Sequence, residues 1–287
     1  MERDNFATAI RVMEQVSKAS DPVGVRELSR ALGMAVGSTH RALQALKRER
    51  FVVQAGTRGL YSNGARIFEL ASNLVRTHDL VPVAGPFLQQ TAQKSHESVV
   101  LMVAESNEAL CVASIDSQQV LRTVFSVGWR GPLYWGASGR LLLAYQPDET
   151  IRAVIRDSTR NAPPNRVTDP ERLLAKLATI KRNGYAVSHG ERAHGMTSVA
   201  AAVPGANGLV VASVAMYGPS ARFSKTKLPK YLALVRSCAD SIGQALLERQ
   251  TAYAKKQPSM LGTLAPAVNE RAQRRAATAQ ASARRSR

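Results

Sequence analysis

The stretch "SHGERAHGM", residues 188–196, sets two of the chain's five histidines around a glutamate. His189, Glu191 and His194 are residue types that do chemistry together: two imidazoles as metal ligands and a carboxylate as general base, the outfit of a metal-dependent hydrolase. The spacing argues against it. Histidines five apart in an extended-to-turn stretch do not share a helix face, and no third ligand is evident beside them. The same residues suit the polar turn between two strands. Cys111 and Cys238 lie far apart and form no CxxC pair, so neither a disulfide framework nor a cysteine zinc site is expected. Both suit small buried positions.

Charge gives a second lead. The 287 residues carry 39 Lys+Arg against 21 Asp+Glu, a net +18. Residues 1–70 hold eleven basic and seven acidic side chains, whereas the last 37 residues hold eight and one. Such a balance favours a polyanionic partner, nucleic acid first and an anionic membrane second. A merely soluble basic protein has the same composition. With 45% apolar residues and no run of about 18 uncharged apolar ones, nothing here is expected to span a bilayer. The first residues, "MERDNFATAIRVMEQ", alternate charges and lack a signal-peptide apolar core, so a cytoplasmic location is expected.

The elements that must position these groups follow from periodicity. Phe6, Ile10, Met13 and Val16 recur at helical spacing, and Asp21-Pro22 breaks that helix. A short helix then spans about residues 25–32, with Val25, Leu28, Ala31 and Leu32 inward and Gly33 placed to stop it. "VGSTHRALQALKRE" begins a third helix. Two short helices across a tight glycine turn, after a supporting helix, form a helix-turn-helix pattern. At about 100° per residue, Val36, Thr39, Leu43 and Leu46 project to one side. Gly37, Ser38, Arg41, Gln44, Ala45 and Arg48 project to the other, with His40 on the flank. Arginine pairs with a guanine edge and glutamine with an adenine edge, and Ser38 reaches phosphate or base. Gly37 lets the helix start approach a phosphate closely. A solvated basic face is the plain alternative. "FVVQ" (51–54) and "LYS" (60–62) bracket "AGTRG", a hairpin with Arg58 at its tip, which makes a wing. The DNA-facing set is Gly37, Ser38, Thr39, His40, Arg41, Gln44, Arg48 and Arg58, Thr39 included although it projects with the apolar group.

Ile67, Leu70, Ala71, Leu74 and Val75 then form one stripe of a linker helix, expected to meet a second copy. Beyond residue 81 the pattern mixes strands and helices. "FLQQTAQKSH" reads as helix, and "ESVVLMVAE", "ALCVASID" and "VLRTVFSV" as strands. Three helical stretches, "YAVSHGE", a two-strand hairpin over "TSVAAAVPGANGLVVASVAMYG" and a helix over about residues 227–250 follow. Without regular βα alternation, this is α+β around an antiparallel sheet. After Ala254 the chain loses its apolar periodicity and is expected to be a disordered basic tail. The boundaries read as 1–65 for the winged helix-turn-helix, 66–80 for the linker helix, 81–250 for the second domain and 251–287 for the tail.

In its ordered motifs the chain resembles the IclR family, the isocitrate lyase regulators. The carriers are "VRELSRALGMAVGSTHRALQALKRERFV", the wing tyrosine of "GLYSNG", "GPLYWGASGRLLLA", "IKRNGYAVSHGE" and "GMTSVAAAVPGANGLVVASVAMYGPSARF", spanning about residues 5–247. The resemblance implies a sequence-specific transcriptional regulator with no enzymatic activity, no cofactor and no metal. It implies an α+β two-domain fold: an N-terminal winged helix-turn-helix, a linker helix and a C-terminal GAF-like effector-binding domain. Its partners would be double-stranded operator DNA, palindromic in a dimer, a small organic effector, and further copies in a homodimer or homotetramer. A nonspecific nucleic-acid binder acting through the tail, and the hydrolase above, are the alternatives. The effector contacts implied are Ala137, Ser138, Ser188, Met196, Ser198, Ala215 and Tyr217, with Val120 and Thr123 at the mouth. Relatives that bind small carboxylates carry serines where this chain has Ala215 and Tyr217, an acidic residue at Ser188 and a cysteine at Ser198. Fewer small donors and a phenol beside Met196, Trp129 or Trp135 favour an aromatic or moderately apolar ligand.

Overall fold

The computed structural model describes residues 5–56, 59–77, 79–161, 169–191, 193–205 and 208–256. The chain divides into two units, residues 1–82 and 83–287.

The first unit runs α1 (Asn5–Lys18), β1 (Val23–Gly24), α2 (Val25–Leu32), α3 (Val36–Arg48), β2 (Val52–Ala55), β3 (Leu60–Asn63) and α4 (Ala65–Thr77). Gly33 ends α2 in the left-handed conformation, φ 61°, which lets Met34 N–H donate to the Ser29 carbonyl. The sheet order is β1-β3-β2, antiparallel throughout. Two-residue β1 was not expected, since a strand that short shows no periodicity. Val12 and Val16 of α1, Leu28, Leu43, Leu46, Val52 and Tyr61 form the core. The α1 stripe is rotated from the expected one, leaving Phe6 and Ile10 exposed. Ala31 and Val36 also face solvent. In helices this short the neighbouring turns, and not the apolar spacing alone, decide which face is covered.

The second unit is built on a sheet of order β6-β5-β4-β9-β8-β7, antiparallel between all neighbours. Its strands are β4 (Ser98–Glu105), β5 (Glu108–Ile115), β6 (Arg130–Pro132), β7 (Tyr185–His189), β8 (Met196–Pro204) and β9 (Val210–Pro219). Its helices are α5 (Leu80–Ser95), α6 (Gly136–Ala144), α7 (Asp148–Asn161), α8 (Pro170–Asn183) and α9 (Leu228–Lys256). Alternation along the strands splits the sheet into two buried faces. One packs on α6, α7 and α8 around Val100, Met102, Leu141, Leu173, Ala200 and Ala215. Across the other, α9 lies over β8 and β9, and on that helix Val235, Ala239 and Ile242 are fully buried. Cys111 and Cys238 are both buried. Burial pushes the Cys238 thiol up, partly offset by a hydrogen bond with Thr91 of α5.

One expected strand is absent. Residues 120–127 form a loop between β5 and β6. Its apolar residues do not alternate in burial: Val120, Leu121, Val124 and Val127 are exposed, and Phe125 alone among them is buried. Side-chain hydroxyls hold the loop in place of a ladder. Ser98 Oγ donates to Thr123 O at 2.6 Å and accepts from Ser117 N at 3.1 Å.

Candidate functional site

On α3 the backbone presents the expected residues unevenly. Gly37, His40, Arg41 and Arg48 are exposed, and Ser38 is half-buried and accepts a hydrogen bond from Arg41 Nη2 at 3.2 Å. Thr39 does not belong to this surface. It is fully buried, and its hydroxyl donates back to Ala35 O at 3.2 Å. Gln44 is committed as well: its amide donates to the Tyr61 hydroxyl at 3.1 Å and sits 3.2 Å from His40 Nε2. It therefore braces the recognition helix against β3 in place of hanging free for an adenine edge. Lys47 Nζ does the same through Gln54 Oε1 of β2 at 2.7 Å. Arg58, the wing-tip arginine, lies outside the described residues. An open cleft of about 540 Å³ lies between α1, Gly33 and the start of α3, lined by Arg11, Ser38 and Arg41 among others. An open basic groove suits a phosphate backbone better than an enclosed small molecule.

The second site lies on the α6 face of the large sheet. Register aligns Ser188, Ser198, Tyr217 and Ser98 in one row across β7, β8, β9 and β4. The next row on that face is Ala186, Ala200, Ala215 and Val100. Small residues thus leave a hollow under α6, and Tyr217 projects into it. Its hydroxyl donates to Ser138 Oγ at 3.1 Å. Its ring packs on Phe125 at 4.5 Å between centroids, and Phe125 meets Trp129 edge-on at 5.3 Å. Ala137, Ser138, Ser188, Ser198, Ala215 and Tyr217 are all buried here, with Met196 partly so. The free space beside Met102, Trp129, Trp135 and Tyr217 is about 20 Å³, room for about one water and none for an aromatic ring. The mouth differs from expectation. Val120 is 98% exposed and Thr123 contributes its carbonyl. Phe125 of the same loop is the residue that reaches the hollow.

Ser188 and Glu191 form a charged corner of this hollow with Arg140. Strand alternation sends Ser188 inward and His189 to the opposite face, where His189 Nδ1 lies 3.1 Å from Thr197 Oγ1. His194 stands in solvent. Glu191 turns to Arg140 of α6, which donates Nη1 to Oε1 at 2.5 Å and Nε to Tyr134 O at 3.0 Å. Ser188 Oγ donates to Glu191 Oε2 at 2.8 Å, and Lys176 Nζ is 3.6 Å from Oε1. Burial pushes the Glu191 carboxyl up, but the Arg140 charge and hydrogen bond, Ser188 and Lys176 outweigh it and hold it below the usual carboxylate range. A carboxylate so engaged is no general base. Among the described residues no three His, Cys, Asp or Glu side chains gather as a metal site would need.

Arg140 and Phe125 were not among the residues expected to matter. Nor was Ser213, fully buried on β9 with a hydroxyl that has no hydrogen-bond partner among the described residues. It faces α6 with Ala215 and Tyr217, next to Met102 in the register. An unmatched buried hydroxyl costs about 1–3 kcal/mol. Ser213→Ala is expected to raise stability by about 1 kcal/mol in thermal or urea unfolding; a lower midpoint would show that the hydroxyl is bonded in solution.

Comparison with known proteins gives concordant matches. Residues 72–244 match the family model described as bacterial transcriptional regulator IclR C-terminal, and residues 8–56 the IclR helix-turn-helix domain. The chain is 27% identical over 238 residues to the HTH-type transcriptional repressor AllR of Escherichia coli, covering 83% of this chain and 88% of that one. An IclR transcriptional regulator structure from Alicyclobacillus acidocaldarius superposes with a TM-score of 0.73 at 25% identity, over 86% of this chain and 100% of the other. An IclR homologue from Microbacterium hydrocarbonoxydans, solved with 4-hydroxybenzoate, gives 0.75 at 24% identity, over 85% and 100%.

Proposed function

Because the chain belongs to the IclR family of bacterial transcriptional regulators, we propose that the hollow under α6 binds a small aromatic carboxylic acid and so controls how α3 reads an operator. The protein is a DNA-binding transcriptional regulator with an effector domain, and not an enzyme. Among the described residues no helix is long and apolar enough to cross a membrane.

One observation carries the effector reading: a row of hydroxyls, Ser188, Ser198 and Tyr217, lies beside an aromatic cluster on a buried face. The hydroxyls suit a carboxylate and the rings suit an aromatic body. The homologue solved with 4-hydroxybenzoate supports the same class. An effector acts only through different affinity for DNA-competent and incompetent states. In a homodimer or homotetramer, that difference would lie in the spacing of paired α3 helices, because half-sites repeat about every 34 Å. Leu70 and Ala71 of the expected α4 stripe are exposed, which supports such pairing; the side chains of Leu74 and Val75 lie outside the described set. Calorimetry of the full chain with benzoate, 4-hydroxybenzoate, acetate and propionate tests the proposal. A preference for the two aliphatic acids would sink it.

On the DNA side, Arg41 is the exposed candidate for base readout. Arg41→Ala is expected to cost about 1–3 kcal/mol on the cognate operator and to relax the preference at one base pair. Equal losses on operator and random DNA would make it a phosphate contact only. Of the basic tail expected over residues 251–287, residues 251–256 continue α9, and residues 257–287 lie outside the described residues. As a proposal, removal of the tail flattens the salt dependence of binding and leaves sequence preference in place.

A further inference from the structure

Phe125 is only 3% exposed, in a loop whose other large apolar residues, Val120, Leu121, Val124 and Val127, are 53–98% exposed. The backbone on either side of it is tied down. Thr123 O accepts from Ser98 Oγ, Leu121 O accepts from Arg222 Nη1 at 3.0 Å, and Gly128 N donates to Cys111 O at 2.8 Å. Between these anchors residues 124–127 join no strand. Phe125 can therefore leave the hollow without breaking a β-ladder. While it stays, its ring fills the space between the Tyr217 ring and the Trp129 edge. The 20 Å³ left over compares with the roughly 150 Å³ cavity known to take up benzene.

A single phenyl ring, carried on a short segment between fixed points, thus occupies the place an aromatic ligand would need. We infer that Phe125 is the pocket's own stand-in ligand, and that the effector is a monocyclic aromatic carboxylate that enters by displacing it. The ligand ring takes the position between Trp129 and Tyr217, and its carboxylate faces the hydroxyls of Ser138, Ser188 and Ser198. The displaced Phe125 moves into solvent with its already exposed neighbours. This inference rests on the aromatic-effector reading above and adds what limits affinity and size: the ligand is held to about one ring because one ring is what it replaces.

The test is calorimetry of the full-length protein with benzoate, comparing wild type, Phe125→Ala and Phe125→Leu. Removing the competing ring is expected to tighten benzoate binding about thirtyfold in Phe125→Ala, the equilibrium equivalent of burying one phenyl side chain, with a smaller gain in Phe125→Leu. In the wild type, benzoate is expected to speed tryptic cleavage after Arg122, an exposed residue of the same loop, because the loop loses its buried anchor. Unchanged or weaker binding in both variants, with the wild type binding benzoate, overturns the stand-in role and leaves the aromatic pocket intact. Protection at Arg122 by benzoate overturns it too. If neither wild type nor variants bind benzoate or 4-hydroxybenzoate, the aromatic pocket itself fails, and this inference with it. Should Phe125→Ala not fold, Phe125→Leu and the wild-type cleavage assay decide.

Discussion

Arg222→Ala is expected to destabilise the second unit by about 3–5 kcal/mol, the cost of stranding a buried charge. The Glu97 side chain is only 2% exposed. Arg222, in a short 3-10 turn after β9, donates Nε to Glu97 Oε1 at 2.5 Å and Nη2 to Oε2 at 2.7 Å. Gly218 permits this packing, since a Cβ there would lie 2.5 Å from Glu97 Oε2. Without Arg222 the carboxylate keeps its desolvation cost and loses its countercharge. Glu97→Gln in the Arg222→Ala background should recover much of the loss, because a neutral amide needs no countercharge. Recovery stays partial, since Arg222 also holds Leu121 O. Urea unfolding of the wild type, single and double variants measures this. A single-variant loss below about 1 kcal/mol would place the pair among solvated surface bridges.

Glu191→Gln is expected to cost about 2–3 kcal/mol near neutral pH, the range for hydrogen bonds between ions in a partly buried setting. The Arg140 side chain is 9% exposed and Glu191 24%, so the loss falls on a nearly buried guanidinium. The effect carries a pH signature. The folded carboxyl titrates below its ordinary 4.5. Its contribution is therefore complete above about that pH and fades as pH falls through the depressed folded value. Wild-type and Glu191→Gln stabilities should differ most at neutral pH and converge under acid conditions. A gap that persists unchanged at low pH would assign the loss to packing and not to charge.

Parts of both sites were readable before folding, for identifiable reasons. The glycine stop at Gly33, where Met34 N donates to Ser29 O at 3.0 Å, is a local device. Arg140 is the lone charge in "GASGRLLLA", a helix in which every residue is buried. A cation in such a stretch must find a partner. Residues 120–127 misled, because an apolar run of that length is compatible with a strand, and periodicity cannot show that only Phe125 turns inward. The helical projection places Thr39 rightly with the apolar side, where it is buried. Gln44 misled differently, because a projection sorts residues by angle and cannot show that Tyr61, seventeen residues on, takes up its amide.

The sequence by itself determined the winged helix with its basic α3, the antiparallel α+β second unit and the small residues at positions 186, 188, 198, 200 and 215. Each depends on interactions within a few residues or on side-chain type alone. Tertiary structure alone decided which hydroxyls share a row, that Tyr217 meets Ser138 across 79 residues and Arg140 meets Glu191 across 51, and that Phe125 fills the hollow. Those depend on strand register and on which side chain wins a buried space. A one-residue slip in register would turn every side chain of a strand to the opposite face.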